Sequence, residues 1–239
     1  MCGRYAITLP PEAVRSYFDY VEQPNFPPRY NIAPTQPVPV VLARRDPDGH
    51  IRRHFHLLRW GFLPGFVKDV AKFPLIINAR AETCVQKPSF RNALRRRRCL
   101  FIMDGYYEWQ APSIPKAPKQ PWLFRRPDHG VFAVAGLHEH LVTADGSEIE
   151  TACLLTTAAN QQVRAVHDRM PVVIARQDFD SWLDLDETRF EAALPLLRPA
   201  PDDYFVATAI GTAINSARNE GAALQMPLNG PQKDEKLPY

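Results

Sequence analysis

Cysteine is scarce in this 239-residue chain, and the spacing of its four cysteines excludes two common structural uses. They stand at positions 2, 84, 99 and 153, with no C-x-x-C pair and no zinc-finger spacing to a histidine. Such isolated cysteines do not form a disulfide framework either. We therefore expect a reducing, cytoplasmic setting.

Long apolar runs are also missing. No stretch approaches the ~20 apolar residues of a membrane span. The first residues do not form the charged segment and apolar core of a signal peptide, because Arg4 and Arg15 interrupt them. No internal repeat is visible. These absences predict a soluble protein with no membrane partner.

Proline, by contrast, is abundant: the 24 prolines are about twice the usual ~5% share and favour extended segments over long helices. Strand-like patterns cover 38–43, 51–60, 99–104, 121–126, 131–138, 151–157 and 171–175, and helical patterns cover 10–18, 89–98, 160–167, 177–184 and 187–197. Strands outnumber helices and rarely alternate with them. This predicts an α+β fold, with a mostly antiparallel sheet or partly open β-barrel and flanking short helices. We expect residues 1–228 to form a single domain and 229–239 to be a flexible tail.

Positive charge is concentrated at one place. The net charge is only +3, which permits a polyanionic partner without requiring one. Arg91 and Arg95, Arg96, Arg97 and Arg98 nevertheless put five guanidinium groups within eight residues. A solvated helix face and a nucleic-acid contact both fit this pattern.

The second residue raises a chemical question, because the chain begins MCGRY. Removal of Met1 would leave Cys2 with a free α-amine and a thiol on adjacent carbons. An aldehyde can condense with that amine, and the sulfur can then close a ring. A cysteine elsewhere in the chain cannot do this.

Three other polar residues interrupt apolar or aromatic stretches. Asn78 follows PLII, Glu108 lies within DGYYEWQ, and His167 lies within AVHDRMP. Each has a structural alternative: a turn cap for the asparagine, a strand-edge position for the glutamate, and a hydrogen-bond partner for the histidine. Their spacing alone does not show that they converge.

Six ordered segments carry a family resemblance: MCGRY, RYNIAPTQPVPVV (29–41), RWGFLPGFVKD (59–69), INARAET (77–83), RRCLFIMDGYYEW (97–109) and HDRMPVVI (167–174). A closing segment, INSARNEG (214–221), follows. Together they resemble the SOS-response-associated peptidase (SRAP) family, the abasic-site-processing proteins. Two details depart from its pattern: Ile102–Met103 replaces an expected Pro-Ala, and Phe66 stands where tryptophan is frequent.

The resemblance implies a covalent reaction with damaged DNA. The mature protein would begin at Cys2 and form a thiazolidine crosslink with the aldehyde of an abasic site in single-stranded DNA, which shields the lesion in the DNA damage response. Glu108 would be the general acid and base, His167 would contact the sugar oxygen or phosphate, and Asn78 would orient the N-terminus. Weak abasic-site lyase activity and self-removal of Met1 are implied as well. We expect no cofactor, no metal and a monomer.

DNA contacts are implied at two arginines and two aromatic residues. Arg4 and Arg80 match DNA-contacting positions of the family and are assigned to phosphates. Phe66 and Trp60 lie in WGFLPGF, whose glycines and proline suggest a loop that stacks on bases. For Trp60 a core position is the competing interpretation, and the sequence favours it.

Other functions remain open. An N-terminal-cysteine glutamine amidotransferase can also begin Met-Cys-Gly, but downstream glycine-asparagine oxyanion motifs are missing. A non-catalytic single-strand-binding module would leave Cys2 incidental, and a peptidase acting on other proteins would need a peptide-recognition feature that we do not find. A metal hydrolase would rest on the pairs His54/His56 and His138/His140, which have no carboxylate at a recognisable spacing.

Overall fold

Strands dominate the computed structural model, which describes residues 2–143 and 145–228. The strands of this part of the chain are β1 Tyr5–Ile7, β2 Arg29–Ile32, β3 Pro37–Arg45, β4 Ile51–Trp60, β5 Asn78–Arg80, β6 Arg98–Met103, β7 Gly105–Gln110, β8 Gln120–Arg125, β9 Phe132–Val142, β10 Glu148–Ala158, β11 Arg169–Pro171, β12 Val173–Ile174 and β13 Val206–Ala209. The helices are α1 Pro11–Phe18, α2 Ala81–Cys84, α3 Pro88–Arg96, α4 Gln161–Arg164 and α5 Phe179–Leu183, with 3₁₀ segments at Arg176–Asp178, Glu187–Leu196, Thr212–Asn215 and Ala222–Gln225.

Five strands close into a barrel. β10 pairs with β4, β4 with β3, β3 with β6, β6 with β9, and β9 pairs back with β10. Only the β10–β4 pairing in this ring is parallel. All six residues of β6 are buried, as expected for a strand with neighbours on both sides in a closed sheet. Gly136 on β9 permits close packing, because a Cβ there would lie 2.6 Å from the Phe101 ring and 2.9 Å from the Sγ of Cys99.

A second, antiparallel sheet has the strand order β13-β8-β7-β1-β2. Its β1 therefore lies between β2 and β7, with Tyr5 opposite Tyr106. Aromatic rings join this sheet to the barrel, since Tyr5 packs edge-on against Trp60 with 5.3 Å between the ring centroids. The segment around Tyr5 is thus anchored inside the fold.

Two short strands extend the barrel at β10. β5 pairs with it in parallel, with Asn78 opposite Leu154, and β11 pairs with it antiparallel, with Pro171 opposite Thr156. β10 consequently brings the segment that begins at Asn78 close to the turn that contains His167.

The α+β class and the mainly antiparallel pairing are confirmed, and the barrel is closed. The sequence did not predict β1, β2, β5, β7 or β13, and it predicted one strand at 171–175 where β11 and β12 stand. The helical pattern at 187–197 forms a 3₁₀ segment. The predicted tail at 229–239 lies outside the described residues. Within the described part of the chain, no helix has the length and apolar character needed to cross a membrane.

Candidate active site

Cys2 lies in the main hydrophobic core, just before β1, with no exposed surface. The chain continues alongside β7, where the backbone N–H of Tyr107 donates to the carbonyl of Arg4 at 3.0 Å. Burial raises the pKa of the Cys2 thiol well above its usual range, and the nearby Glu108 carboxylate raises it further. The thiol therefore needs a base at hand to become a nucleophile.

Asn78 holds the main chain of Cys2. It is the first residue of β5, and its half-buried side chain donates from Nδ2 to the Cys2 carbonyl oxygen at 3.0 Å. Its Oδ1 is buried and has no hydrogen-bond partner among the described residues. The amide thus orients residue 2 through its backbone and keeps an acceptor available beside it.

Glu108 is a buried carboxyl group on β7, where it stands opposite Trp122 of β8, two residues beyond the Tyr106 that pairs with β1. Its exposed fraction is only 2%. Desolvation by burial raises the pKa of Glu108 to about 7. A carboxyl group with that pKa is populated in both protonation states near neutral pH, which is what general acid–base catalysis requires.

His167 stands in the turn between α4 and β11 and faces Glu108. Its Nε2 lies 3.9 Å from the Oε2 of Glu108, and its Nδ1 accepts a hydrogen bond from the backbone N–H of Arg169 at 3.0 Å. Partial burial lowers the pKa of His167, so the ring is neutral at pH 7. One oxygen atom of a ligand could bond to both Nε2 and Oε2, because each contact needs only about 2.8 Å.

These contacts bring the four predicted catalytic candidates into one site. Asn78 touches Cys2, the charge of Glu108 acts on the Cys2 thiol, and His167 faces Glu108. A thiol, an acid–base carboxyl group and a neutral imidazole in one site are the groups that nucleophilic addition and proton transfer require.

The two arginines predicted to bind phosphate differ in their surroundings. Arg4 is half-buried, and its Nη1 donates to Asn31 Oδ1 at 2.6 Å and to the carbonyl of Ile214 at 2.8 Å. Its guanidinium also lies 5.8 Å from the centroid of the Trp109 ring. Arg80 is exposed at the end of β5 and forms no ion pair with any described residue. Arg80 is therefore the more available cation.

The two aromatic residues of WGFLPGF also separate. Phe66 is 60% exposed and packs edge-on against Phe73, with 6.4 Å between the ring centroids. Trp60 is fully buried, and its Nε1 donates to the carbonyl of Ile77 at 2.9 Å. The expectation that Trp60 contacts DNA is wrong for this structure, because the indole is packed in the core and has no surface to offer a base.

Comparison with known proteins identifies the family. The family described as SOS response associated peptidase (SRAP) matches residues 1–217. The chain belongs to this family. It is 33% identical over 227 residues to the abasic site processing protein YoaM of Bacillus subtilis, covering 94% of this chain and 97% of the relative. It is 27% identical to the abasic site processing protein HMCES of Gallus gallus, covering 95% of this chain and 78% of the relative.

Solved structures share the fold. A Bacteroides thetaiotaomicron protein superimposes with a TM-score of 0.75 at 23% identity, covering 93% of this chain and 98% of its own. A Bordetella bronchiseptica protein gives 0.72 at 26% identity, covering 88% and 100%. The SRAP architecture is thus retained where most of the sequence has changed.

The SRAP segments also contain a residue, Asn31, whose hydrogen bonds the sequence did not predict. Asn31, in RYNIAPTQPVPVV, receives Arg4 and donates to the carbonyls of Ser216 and Asn219 at 2.9 and 2.8 Å. The closing segment INSARNEG is therefore what holds Arg4. Position within the segments was the only signal for this contact.

Three arginines of the run make contacts within the protein. Arg98 is buried and donates to the carbonyls of Trp182, Leu94 and Arg95. Arg97 pairs with the buried Glu139 and Arg96 with Glu187, each at 2.8 Å.

The four histidines on which a metal hydrolase would rest lie on β4 and β9. Among residues 2–143 and 145–228, no group of three or more His, Cys, Asp or Glu is placed to hold a metal ion.

Proposed function

We propose that this SRAP protein processes abasic sites in single-stranded DNA by forming a covalent crosslink through Cys2. The observation that carries the proposal is the assembly of Asn78, Glu108 and His167 around the second residue of the chain. The relatives are abasic site processing proteins, which supports the substrate class. The open form of an abasic site presents an aldehyde at C1′, which is the group that Cys2 would attack.

Removal of Met1 is the first requirement. While Met1 is attached, the nitrogen of Cys2 is an amide and has no basic lone pair to attack a carbonyl. Removal leaves an α-amine, and its ordinary pKa of ~8 keeps part of it neutral at pH 7. Either an aminopeptidase or the Cys2 thiol with Glu108 as base could perform this hydrolysis.

The amine then forms an imine. Its nitrogen bonds to C1′ of the open sugar, and the carbonyl oxygen takes up protons and leaves as water. Glu108 in its acid form supplies the proton to the departing oxygen and accepts one from the nitrogen, a cycle that its pKa of about 7 permits. Asn78 orients the nucleophile through the Cys2 carbonyl.

Ring closure completes the reaction. The sulfur of Cys2 bonds to C1′, and the imine double bond becomes a single bond. The thiol proton passes to the Glu108 carboxylate, which in turn gives a proton to the nitrogen. The product is a thiazolidine. Because sulfur and C1′ are already joined through three intervening atoms (Cβ, Cα and N), this step is unimolecular. The raised pKa of the buried thiol explains why a carboxylate must stand beside it.

His167 and the exposed groups complete the site. The neutral His167 donates to the sugar oxygen from Nε2, and proton transfer at the imine stage would also allow weak β-elimination at the lesion. Arg80 binds phosphate, and Phe66 stacks on a base. Acting through one chain, the protein needs no second subunit for these steps.

A gel assay tests the proposal. Protein lacking Met1 is incubated with a single strand that carries one abasic site, with an intact strand, and with an abasic strand reduced beforehand by borohydride. A heat-stable, slowly migrating species with the first strand alone supports the proposal. Equal adducts with the reduced strand, which has no aldehyde, refute it, and glutamine hydrolysis without any adduct would favour an amidotransferase.

A further inference from the structure

The side chain of Glu82 binds two elements next to His167. Glu82, in α2, accepts from Nη1 and Nη2 of Arg169, one to each carboxylate oxygen and both at 2.8 Å. It also accepts from the backbone N–H of Ala158 at 3.2 Å. Ala158 and Arg169 are opposite each other at the end of the β10–β11 ladder. Glu82 therefore bridges the end of this ladder that adjoins the His167 turn.

Arg169 has a second hydrogen-bond partner near the same end of the β10–β11 ladder. Its Nη2 also donates to the carbonyl of Thr156 at 2.6 Å, and its side chain is only 14% exposed. The direct bond to Arg169 lowers the pKa of Glu82 to about 2, so the pair is charged throughout the neutral range. The backbone of Arg169 is accordingly fixed in position.

Two groups compete for Nδ1 of His167. The backbone N–H of Arg169 points to it at 3.0 Å, and Oδ1 of Asp168 also lies 3.0 Å away. The N–H is a donor and needs a lone pair on Nδ1, whereas a carboxylate is an acceptor and needs a hydrogen there. In a neutral ring the first contact places the hydrogen on Nε2, facing Glu108, and the second places it on Nδ1.

We infer that Glu82 is a positioning residue that sets the tautomer of His167. By holding Arg169, it keeps the Arg169 N–H on Nδ1 and leaves the hydrogen on Nε2, directed to the side of Glu108. Without Glu82 the turn relaxes, Asp168 gains Nδ1, and Nε2 presents a lone pair to the Glu108 carboxylate. A donor for the sugar oxygen is then lost. This last consequence rests on the proposed function, but the tautomer does not.

Nitrogen-15 NMR of His167 tests the inference without DNA, at pH 8, where the ring is neutral. The wild-type protein should show Nε2–H as the main tautomer. Glu82→Gln keeps an acceptor for Ala158 but loses the charged clamp. It should shift the tautomer ratio toward Nδ1–H by about five-fold or more, as expected for one lost hydrogen bond. Glu187→Gln, which removes the exposed pair with Arg96, is the matched control and should change nothing.

A second change makes the test specific. Asp168→Ala removes the competing acceptor, so the Glu82→Gln/Asp168→Ala protein should return to Nε2–H. Crosslinking by Glu82→Gln should be about five-fold slower at unchanged DNA affinity and should recover in the double variant. Arg169→Lys, which keeps the charge and backbone but not the two-fold contact, should resemble Glu82→Gln and serves if the latter does not fold. An unchanged tautomer ratio in both Glu82→Gln and Arg169→Lys overturns the inference. If the wild-type protein forms no crosslink but the tautomer shifts occur as predicted, the proposed function is refuted and the inference on Glu82 stands.

Discussion

Asn78 holds Cys2 by its main chain and not by its reactive groups: the Nδ2 of Asn78 donates to the Cys2 carbonyl at 3.0 Å. The contact fixes the direction of residue 2 while its nitrogen and sulfur stay uncommitted by this bond. Asn78 itself is fixed because it begins β5 opposite Leu154 of the barrel. The barrel thus determines where the reacting residue lies.

Asn78→Asp should slow crosslinking about ten-fold, because a carboxylate cannot donate to the Cys2 carbonyl and instead places a negative charge against that oxygen. Affinity for an intact single strand should change little. Single-turnover rates and fluorescence anisotropy measure the two quantities. Asn92→Asp, on the exposed face of α3, is the matched control. An equal loss of affinity and rate in Asn78→Asp would contradict a positioning role.

Glu108→Gln should remove an inflection near pH 7 from the rate profile of crosslinking. The pKa of about 7 belongs to this carboxyl group, and glutamine does not titrate. The crosslinking rate, measured from pH 5.5 to 8.5, should also fall at least ten-fold near neutral pH. An inflection that persists in Glu108→Gln would assign it to another group.

The same variant has a stability signature of known sign. The folded protein holds the Glu108 proton up to about pH 7, whereas the unfolded chain releases it near the ordinary glutamate pKa of 4.5. Stability is therefore complete below the unfolded pKa and declines as pH rises to the folded pKa, by on the order of 3 kcal/mol. Glu108→Gln should lack this decline in urea unfolding at pH 5 and pH 8. The exposed Glu191→Gln should retain it.

Arg80→Gln should weaken binding to single strands of every sequence to the same extent. An exposed arginine that binds one phosphate releases about one counterion, so the log–log salt slope should fall by about 0.7. Titrations at several salt concentrations measure this slope. Arg45→Gln, at the exposed end of β3, is the matched control and should keep the wild-type slope.

Phe66→Ala should change DNA affinity, whereas Trp60→Ala should change the stability of the fold. Loss of the exposed Phe66 ring should weaken single-strand binding by about 1–3 kcal/mol at unchanged stability, the range for one base stacked on an aromatic ring. Loss of the buried Trp60 indole should reduce the free energy of unfolding by about 3–5 kcal/mol. Anisotropy and urea unfolding distinguish the two. Normal binding by a stable Phe66→Ala protein would remove that ring from the DNA interface.

Much of the barrel could be predicted, because its long strands alternate or form buried apolar runs. The strand at 51–60 was predicted to the residue, and β9 and β10 differ only in length. The strands that carry the site were missed. β1 and β5 have three residues each, too few for a periodic pattern, and they form only by pairing with distant strands.

The catalytic candidates came from residue chemistry and from the family segments, and their convergence came from topology. Nothing near Glu82 or Asn31 in the sequence indicates a partner, since Arg169 and Ser216 lie far along the chain. Trp60 illustrates the reverse problem. An aromatic residue beside glycine and proline fits a stacking loop, but its ring is buried because β4 places it inward against Tyr5.

The most direct test of the covalent claim is the intact mass of the protein before and after exposure to a single strand with one abasic site. We predict that the starting protein is one methionine residue lighter than the full sequence. It should then gain one strand minus one water, and Cys2→Ala should give no adduct that survives heating. Retention of Met1 in a crosslinking protein, or a heat-stable adduct of normal yield from Cys2→Ala, would contradict the account.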